Sequence, residues 1–119
     1  MRHLKKKVTL DRATGPRTGM LRSLCISLIE HGRIVTTPAR ARAIKTIVEP
    51  LITRGKEKNV HNMRIIEQRL NNKVAARKIV DELGPQFKTR PGGYTRMIKV
   101  APRKGDAAAQ VVLEFVSNS

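Results

Sequence analysis

Apolar residues recur at helical spacing in the first third of the chain. Between Arg17 and His31 they lie three or four positions apart, as on the buried side of a helix. They are Met20, Leu21, Leu24, Cys25, Leu28 and Ile29. Gly32 follows the stripe, and glycine readily takes the left-handed conformation that ends many helices. The pattern predicts an amphipathic helix over residues 17–31 that packs on a core.

A second helix is predicted after a short β-branched run at residues 33–37. Thr37 is a good N-cap, and Pro38 suits the first helical position. The inner face of this helix carries five aliphatic residues: Ile44, Ile47, Val48, Leu51 and Ile52. Pro50 lies inside the pattern. Because proline lacks an amide donor and crowds the preceding turn, a kink or a break is expected near Glu49.

Two shorter helices are predicted next, over residues 60–70 and 73–83. Their inward residues are Met63, Ile66 and Leu70 in the first, and Val74, Ile79, Val80 and Leu83 in the second. Asn72 is expected to cap the second of these helices, which Gly84 and Pro85 should end.

Two strands are predicted at the carboxyl end, over residues 93–100 and 110–116. In the last strand Val111, Leu113 and Phe115 alternate with Gln110 and Glu114, which predicts one buried face and one wetter face. In the preceding strand Arg96 has the same parity as Ile98 and Val100, so the pattern leaves the direction of Arg96 open.

These elements predict an α+β fold of two layers. A small mixed sheet of about three strands packs against about four helices. Residues 1–16 hold five Lys or Arg and one acid with few apolar residues. They are predicted to form an extended basic arm, followed by a single globular domain over residues 17–119.

Charge adds the first functional information. The chain has 25 Lys plus Arg against 9 Asp plus Glu, a net charge of +16, and the cations recur from Arg2 to Lys104. A fixed polyanion is the natural partner of such a protein. The single cysteine excludes an internal disulfide and favours a reducing cytoplasm. No apolar run is long enough to span a bilayer, and the amino end lacks a secretory signal, so no membrane partner is expected.

The sequence offers little support for catalysis. His3, His31 and His61 lie in different segments without metal-ligand spacing, and no phosphate-binding glycine loop is present. Cys25 belongs to an apolar stripe, which favours a packed thiol over a nucleophile. Asp81 and Glu82 are adjacent in a helix and point apart. No enzymatic activity, metal, cofactor or small-molecule substrate is expected.

Nucleic-acid binding is better supported. The three aromatic residues provide no platform for stacking bases, so affinity should come from phosphate contacts. Cations on an arm, a helix start and a β loop suit a folded RNA better than a duplex groove. At the start of the second helix, phosphate docking near Arg40 and Arg42 and a plain capped helix with exposed arginines are equally consistent with the spacing. Tyr94 fits either a partly buried ring or an RNA contact.

Two other classes of protein would also have a strongly positive net charge. A sequence-tolerant DNA-binding protein of the nucleoid type would show a dimerising surface or a single recognition helix, and would sediment apart from ribosomes. A membrane-surface binder would need one strongly basic amphipathic helix, which the first helix is not.

Three separated motifs resemble the bacterial large-subunit ribosomal protein L17 family. They are the arm "MRHLKKKVTLDR", the run "SLIEHGRIVTTPARARAI" followed by "EPLIT", and "ELGPQF" followed by "RPGGYTRMIKVAPRKGD". Pro16-Arg17 and Arg22-Ser23 stand where the family usually has His-Arg and Arg-Asn, so Arg17 and Arg22 still match. The resemblance implies a cytoplasmic, structural rRNA-binding protein without enzymatic activity. Its expected place is near the outer rim of the peptide exit tunnel, as a monomer among neighbouring large-subunit ribosomal proteins.

The charge and the resemblance together give a set of candidate rRNA-binding residues, most of them cations on the arm, the helix starts and the carboxyl-terminal hairpin. They are Arg2, His3, Lys5, Lys6, Lys7, Arg12, Arg17, Arg22, Arg40, Arg42, Lys45, Arg90, Tyr94, Arg96, Lys99, Arg103 and Lys104.

Overall fold

The computed structural model describes residues 14–102, 104–105 and 108–116. The longer helices are α1 at Thr14–His31, α2 at Pro38–Gly55 and α3 at Val60–Leu70. Helix α4 at Lys73–Lys78 continues through a π-helical turn at Ile79–Leu83 into the short helix α5 at Gly84–Gln86. The strands are β1 at Arg33–Thr36, β2 at Thr95–Val100 and β3 at Gln110–Phe115.

The three strands form one sheet in the order β1-β3-β2, and the helices cover one of its faces. This confirms the two-layer α+β class. Both outer strands run antiparallel to β3, so the sheet is antiparallel and the expectation of a mixed sheet was wrong. The two outer strands run in the same direction, but they are never neighbours because β3 lies between them.

Helix α1 begins three residues before its predicted start. Pro16 therefore lies in the first turn, where its missing amide costs little because the first four helical amides have no intrahelical acceptor. The end of the predicted arm is thus helical, and residues 1–13 of that arm lie outside the described part of the chain. The helix ends as predicted, with Gly32 at φ 81° and its amide bonded to the Leu28 carbonyl at 2.7 Å.

Helix α2 also begins as predicted, because the Thr37 side chain accepts a hydrogen bond from the Arg40 amide and Pro38 opens the helix. Of the kink or break expected near Glu49, the break does not occur, because the helix continues past Pro50 to Gly55. Leu51 and Ile52 follow the proline and are buried in the core. Their burial offsets the lost backbone hydrogen bond.

The region after α3 departs most from its pattern. Val74 was predicted to point inward but is exposed, since Ala75 and Ala76 are the residues of α4 that face the core. Gly84 does not end the helix either, because it has helical φ and ψ angles of −56° and −54°. A β-carbon at Gly84 would lie 2.2 Å from the Gly55 carbonyl oxygen, so close packing of two backbones is what requires glycine there.

Strand β2 begins at Thr95, two residues later than predicted, because Gly93 has φ 62° and belongs to the preceding turn. The register places Arg96 opposite Glu114 on the face turned away from the helices, and this settles its direction. Val112 lies on that outer face too, yet it is buried, so the wetter face predicted for β3 holds a buried aliphatic residue at its centre.

Candidate nucleic-acid interface

The exposed side of α2 and the loop over residues 88–93 border a shared groove. Lys45, Thr46 and Thr53 line it from the helix, and Gly92 lines it from the loop. Arg42 is exposed one helical turn before Thr46. We call Arg42, Lys45, Thr46, Thr53 and the loop 88–93 the α2 surface. The fold thereby places Lys45 of α2 and the loop that contains Arg90 at one groove.

Two cations of this region hold the loop in place. The Arg90 Nε atom donates to the Gly93 carbonyl at 3.1 Å. The Lys56 Nζ atom donates to the Arg90 carbonyl and lies 4.8 Å from the centroid of the Tyr94 ring. Because these bonds fix the loop beside α2, Lys56 and Arg90 shape the surface. The side chains of Arg42 and Lys45, by contrast, have no hydrogen-bonding or ionic partner among the described residues.

Tyr94 is part of the core and cannot offer its ring to RNA. Its exposed fraction is 0%, its hydroxyl lies 2.8 Å from the Thr53 hydroxyl, and its ring centroid lies 5.2 Å from that of Phe87. Phe87 is also fully buried, and Phe115 packs against the same cluster. We therefore remove Tyr94 from the candidate contacts. None of the three aromatic rings provides a stacking surface.

Glu49, the acidic residue that lines the groove, is hydrogen-bonded within the protein. The Glu49 carboxylate accepts hydrogen bonds from the Thr95 amide at 3.1 Å and from the Thr95 hydroxyl at 2.9 Å. These bonds tie α2 to the start of β2 across the groove. Both elements of the α2 surface are thus held together by polar contacts at its base.

The amino end of α2 is a poorer anion site than the sequence suggested. Pro38 has no amide hydrogen, the Arg40 amide donates to the Thr37 hydroxyl at 3.4 Å, and the Ala41 amide donates to the Thr37 carbonyl at 2.9 Å. Of the first four amides, only that of Ala39 is left for a phosphate. The structure therefore favours the exposed side of the helix over its amino end as the place where anions would bind.

The other predicted cations are spread more widely. Arg22 donates through Nε to the Arg69 carbonyl, and Arg96 pairs with Glu114 at 2.9 Å. Lys99 and Lys104 are exposed near the hairpin loop, whereas Arg40 is only partly exposed. The side chain of Arg17 and seven further candidates lie outside the described residues. These seven are Arg2, His3, Lys5, Lys6, Lys7, Arg12 and Arg103.

The sequence analysis missed four exposed cations on the third and fourth helices. They are Arg64, Arg69, Lys73 and Arg77. All four stand outside the predicted apolar stripes of α3 and α4, so the helical pattern could have identified them. Their side chains have no ionic or hydrogen-bonding partner in the described part of the chain, so they are further candidate phosphate contacts.

The described residues also bear on the other function classes. Burial raises the pKa of the Cys25 thiol to about 12, which keeps it protonated and unreactive near neutral pH. No group of three or more His, Cys, Asp or Glu that could hold a metal ion occurs within the described residues. No helix in that part of the chain has the length and apolar character to cross a membrane.

Comparison with known proteins gives one consistent family. A family model described as Ribosomal protein L17 matches residues 20–116. Similar proteins named large ribosomal subunit protein bL17 occur in Bdellovibrio bacteriovorus, at 48% identity over 96% of this chain, and in Flavobacterium johnsoniae, at 48% over 98%. A third, from Dictyoglomus thermophilum, is 43% identical over 98% of this chain. The matched region spans 63%, 71% and 100% of these three relatives, respectively.

Proposed function

The chain belongs to the ribosomal protein L17 family, and from that membership we propose that it is a structural protein of the large ribosomal subunit that binds folded rRNA. Its contacts are mainly phosphate contacts, made by the α2 surface, by Lys104 in the hairpin loop, and by the basic arm. Its place is near the outer rim of the peptide exit tunnel, as the family resemblance implies.

The observation that carries this proposal is the state of Arg42 and Lys45. Both lie on the α2 surface without an internal partner, on a helix anchored by buried Ile44 and Val48. A cation that is fixed in place but unpaired is free to replace the counterions of an RNA phosphate. By contrast, Arg96 has a carboxylate partner within the protein, so we leave it outside the proposed interface.

The absence of exposed aromatic rings defines the kind of recognition. Sequence-specific RNA binding usually stacks unpaired bases on aromatic side chains, but Phe87 and Tyr94 are buried. The protein therefore reads the positions of phosphates on a folded RNA, and the rigid α2 surface sets the spacing of its cations.

The test compares two double variants with the same change in net charge. Arg42→Ala with Lys45→Ala removes unpaired cations, whereas Lys58→Ala with Arg96→Ala removes cations paired with Asp81 and Glu114 at 2.9 Å each. Binding of each purified variant to large-subunit rRNA is measured over a range of salt concentrations. Loss of two phosphate contacts should weaken binding and make the slope of log affinity against log salt shallower by about 1.4 for the first variant.

The control variant should keep the slope of the parent protein. Equal weakening of both variants would mean that only net charge matters, which would contradict a defined α2 surface. Parent-like binding by the first variant would place the RNA elsewhere on the protein.

A further inference from the structure

The face of the sheet that points away from the helices carries a row of aliphatic side chains. Val35 of β1, Val112 of β3 and Ile98 of β2 lie side by side in register, and Val100 follows two residues after Ile98. Their exposed fractions are 56%, 3%, 41% and 39%, respectively. We call these four residues the outer sheet row. No described element of the chain covers it.

A charged row lies beside the outer sheet row on the same face, two residues away along each strand. Arg33 and Arg96 stand on either side of Glu114, and Arg96 Nε lies 2.9 Å from the Glu114 carboxylate. A phosphate approaching the outer sheet row would meet aliphatic groups, and Arg96 beside the row is already paired with Glu114. The face also has no aromatic ring on which a base could stack. Its chemistry therefore fits a protein partner better than RNA.

The open edge of β2 lies next to the row and offers main-chain hydrogen bonds. The Val116 amide bonds to the Tyr94 carbonyl at 2.9 Å, which makes this a hydrogen-bonded pair of the antiparallel ladder. Because such pairs alternate, Arg96, Ile98 and Val100 bond to β3, while Thr95, Met97 and Lys99 direct their main-chain groups outward.

Of these three residues, only Thr95 has a hydrogen-bonding partner for an outward main-chain group. The Glu49 side chain accepts the Thr95 amide, as described above. The main-chain groups of Met97 and Lys99 have no partner in the part of the chain that the structure describes. The edge is therefore open over the same residues that flank Ile98, so one incoming strand could reach both the edge and the row.

We propose that the outer sheet row and the open edge of β2 dock an extended segment of another protein of the large subunit. The segment adds to the edge as a further strand, places apolar side chains on Ile98 and Val100, and carries acidic residues toward the exposed Lys99. The proposal rests on the proposed function in one respect, since the partner is sought within the subunit.

A second copy of this chain is the wrong occupant on two grounds. The net charge of +16 makes self-association electrostatically unfavourable. The face is also small: strand spacing and rise give three strands and five residues an area of about 200 Å², whereas a stable complex buries about 800 Å² on each partner. A single extended segment fits this area, because main-chain hydrogen bonds at the edge supplement the apolar contact.

The first test is a photo-crosslinking residue at position 98, carried in purified large subunits. The proposal expects a crosslink to another ribosomal protein. A crosslink to rRNA, a product of twice the mass of this chain, or no crosslink at all would each overturn it. Binding of the free protein to rRNA is measured in parallel: if the parent protein fails to bind rRNA, the proposed function fails, whereas binding without a protein crosslink overturns only the docking proposal.

The second test uses exposed valines elsewhere as matched controls. Val35→Thr with Ile98→Thr keeps β-branched residues in the strands but makes the row polar. Val60→Thr with Val74→Thr makes the same change at helical positions that are 66% and 73% exposed. The sheet variant should be lost from subunits severalfold more than the helix variant during a salt wash, with unchanged rRNA affinity. Equal retention of the two variants would contradict docking at this face.

The edge itself is tested by two substitutions of Lys99. Lys99→Pro removes an outward amide without breaking a bond to β3, whereas Lys99→Ala removes the same charge and keeps the amide. If the partner adds as a strand, the proline variant is retained severalfold less well than the alanine variant, while thermal melts show both folded. Equal retention of two folded variants would rule out strand addition at this edge.

Discussion

At the scale of single residues, the fold depends on two glycines at which a side chain would not fit. Gly55 ends α2, and Gly84 follows the π-helical turn that widens the fourth helix. A β-carbon at Gly55 would lie 2.6 Å from Ile79 Cγ2, and one at Gly84 would lie 2.2 Å from the Gly55 carbonyl oxygen. The second contact is with backbone, which cannot rotate away as a side chain can. The crossing of these two helices therefore requires glycine at position 84.

We predict that Gly84→Ala lowers the free energy of unfolding by about 1–3 kcal/mol, which is the typical cost of overpacking. Gly19→Ala is the control, because position 19 is an exposed helical site with no atom within 4 Å of the added carbon. This control should gain about 0.5–1 kcal/mol, since alanine favours helix over glycine. Chemical denaturation of both variants measures the difference. Parent-like stability of Gly84→Ala would show that the backbones separate at little cost.

At the scale of elements, local signals predicted the fold where they acted within a few residues. Helix α3 has the bounds expected from its pattern, and its capping residue Asn59 bonds to the amide of Asn62 at 2.8 Å. The same reasoning failed at Gly84, and the break that it allowed at Pro50 does not occur, because packing against distant residues decides the outcome at both positions. A local pattern cannot contain such long-range contacts.

The candidate site, too, was only partly predictable from the sequence. The cations were visible in the sequence, because each lies on the polar side of a predicted element. The pairing of Arg96 with Glu114 depends on strand register, and the burial of Tyr94 depends on packing with Phe87 and Thr53. Both facts remove residues from the proposed interface, and neither could be obtained without the tertiary structure.

The carboxyl-terminal hairpin allows folding and binding to be separated. Leu113 is fully buried in the core, so Leu113→Ala should cost about 2–5 kcal/mol by leaving a cavity. Lys104 is exposed in the loop between β2 and β3, and Lys104→Ala should change stability by less than about 0.5 kcal/mol. Thermal melts of both variants are compared with their incorporation into large subunits at moderate salt. An early melt of Lys104→Ala, or full incorporation of it, would show that Lys104 is not an rRNA contact.

At the scale of the whole molecule, two kinds of surface are segregated on a small domain. Unpaired cations lie on the exposed sides of the helices and near the hairpin loop, whereas the outer sheet row is aliphatic and Arg96 beside it is paired with Glu114. The proposed rRNA contacts and the proposed docking site for a protein segment therefore lie on different parts of the surface. If both proposals hold, the salt dependence of rRNA binding is a property of the cationic faces alone.

We predict that the affinity of the whole protein for large-subunit rRNA falls steeply with salt. If about eight phosphates are engaged, log affinity should decrease against log salt with a slope of about −6, because each phosphate contact releases condensed counterions. The magnesium concentration is held constant, and circular dichroism of the RNA confirms that its fold is unchanged across the titration. Threonine substitution of Val35 and Ile98 should leave the slope unaltered, since the outer sheet row contacts no phosphate. An affinity nearly independent of salt would mean that binding does not depend on the +16 charge of the chain.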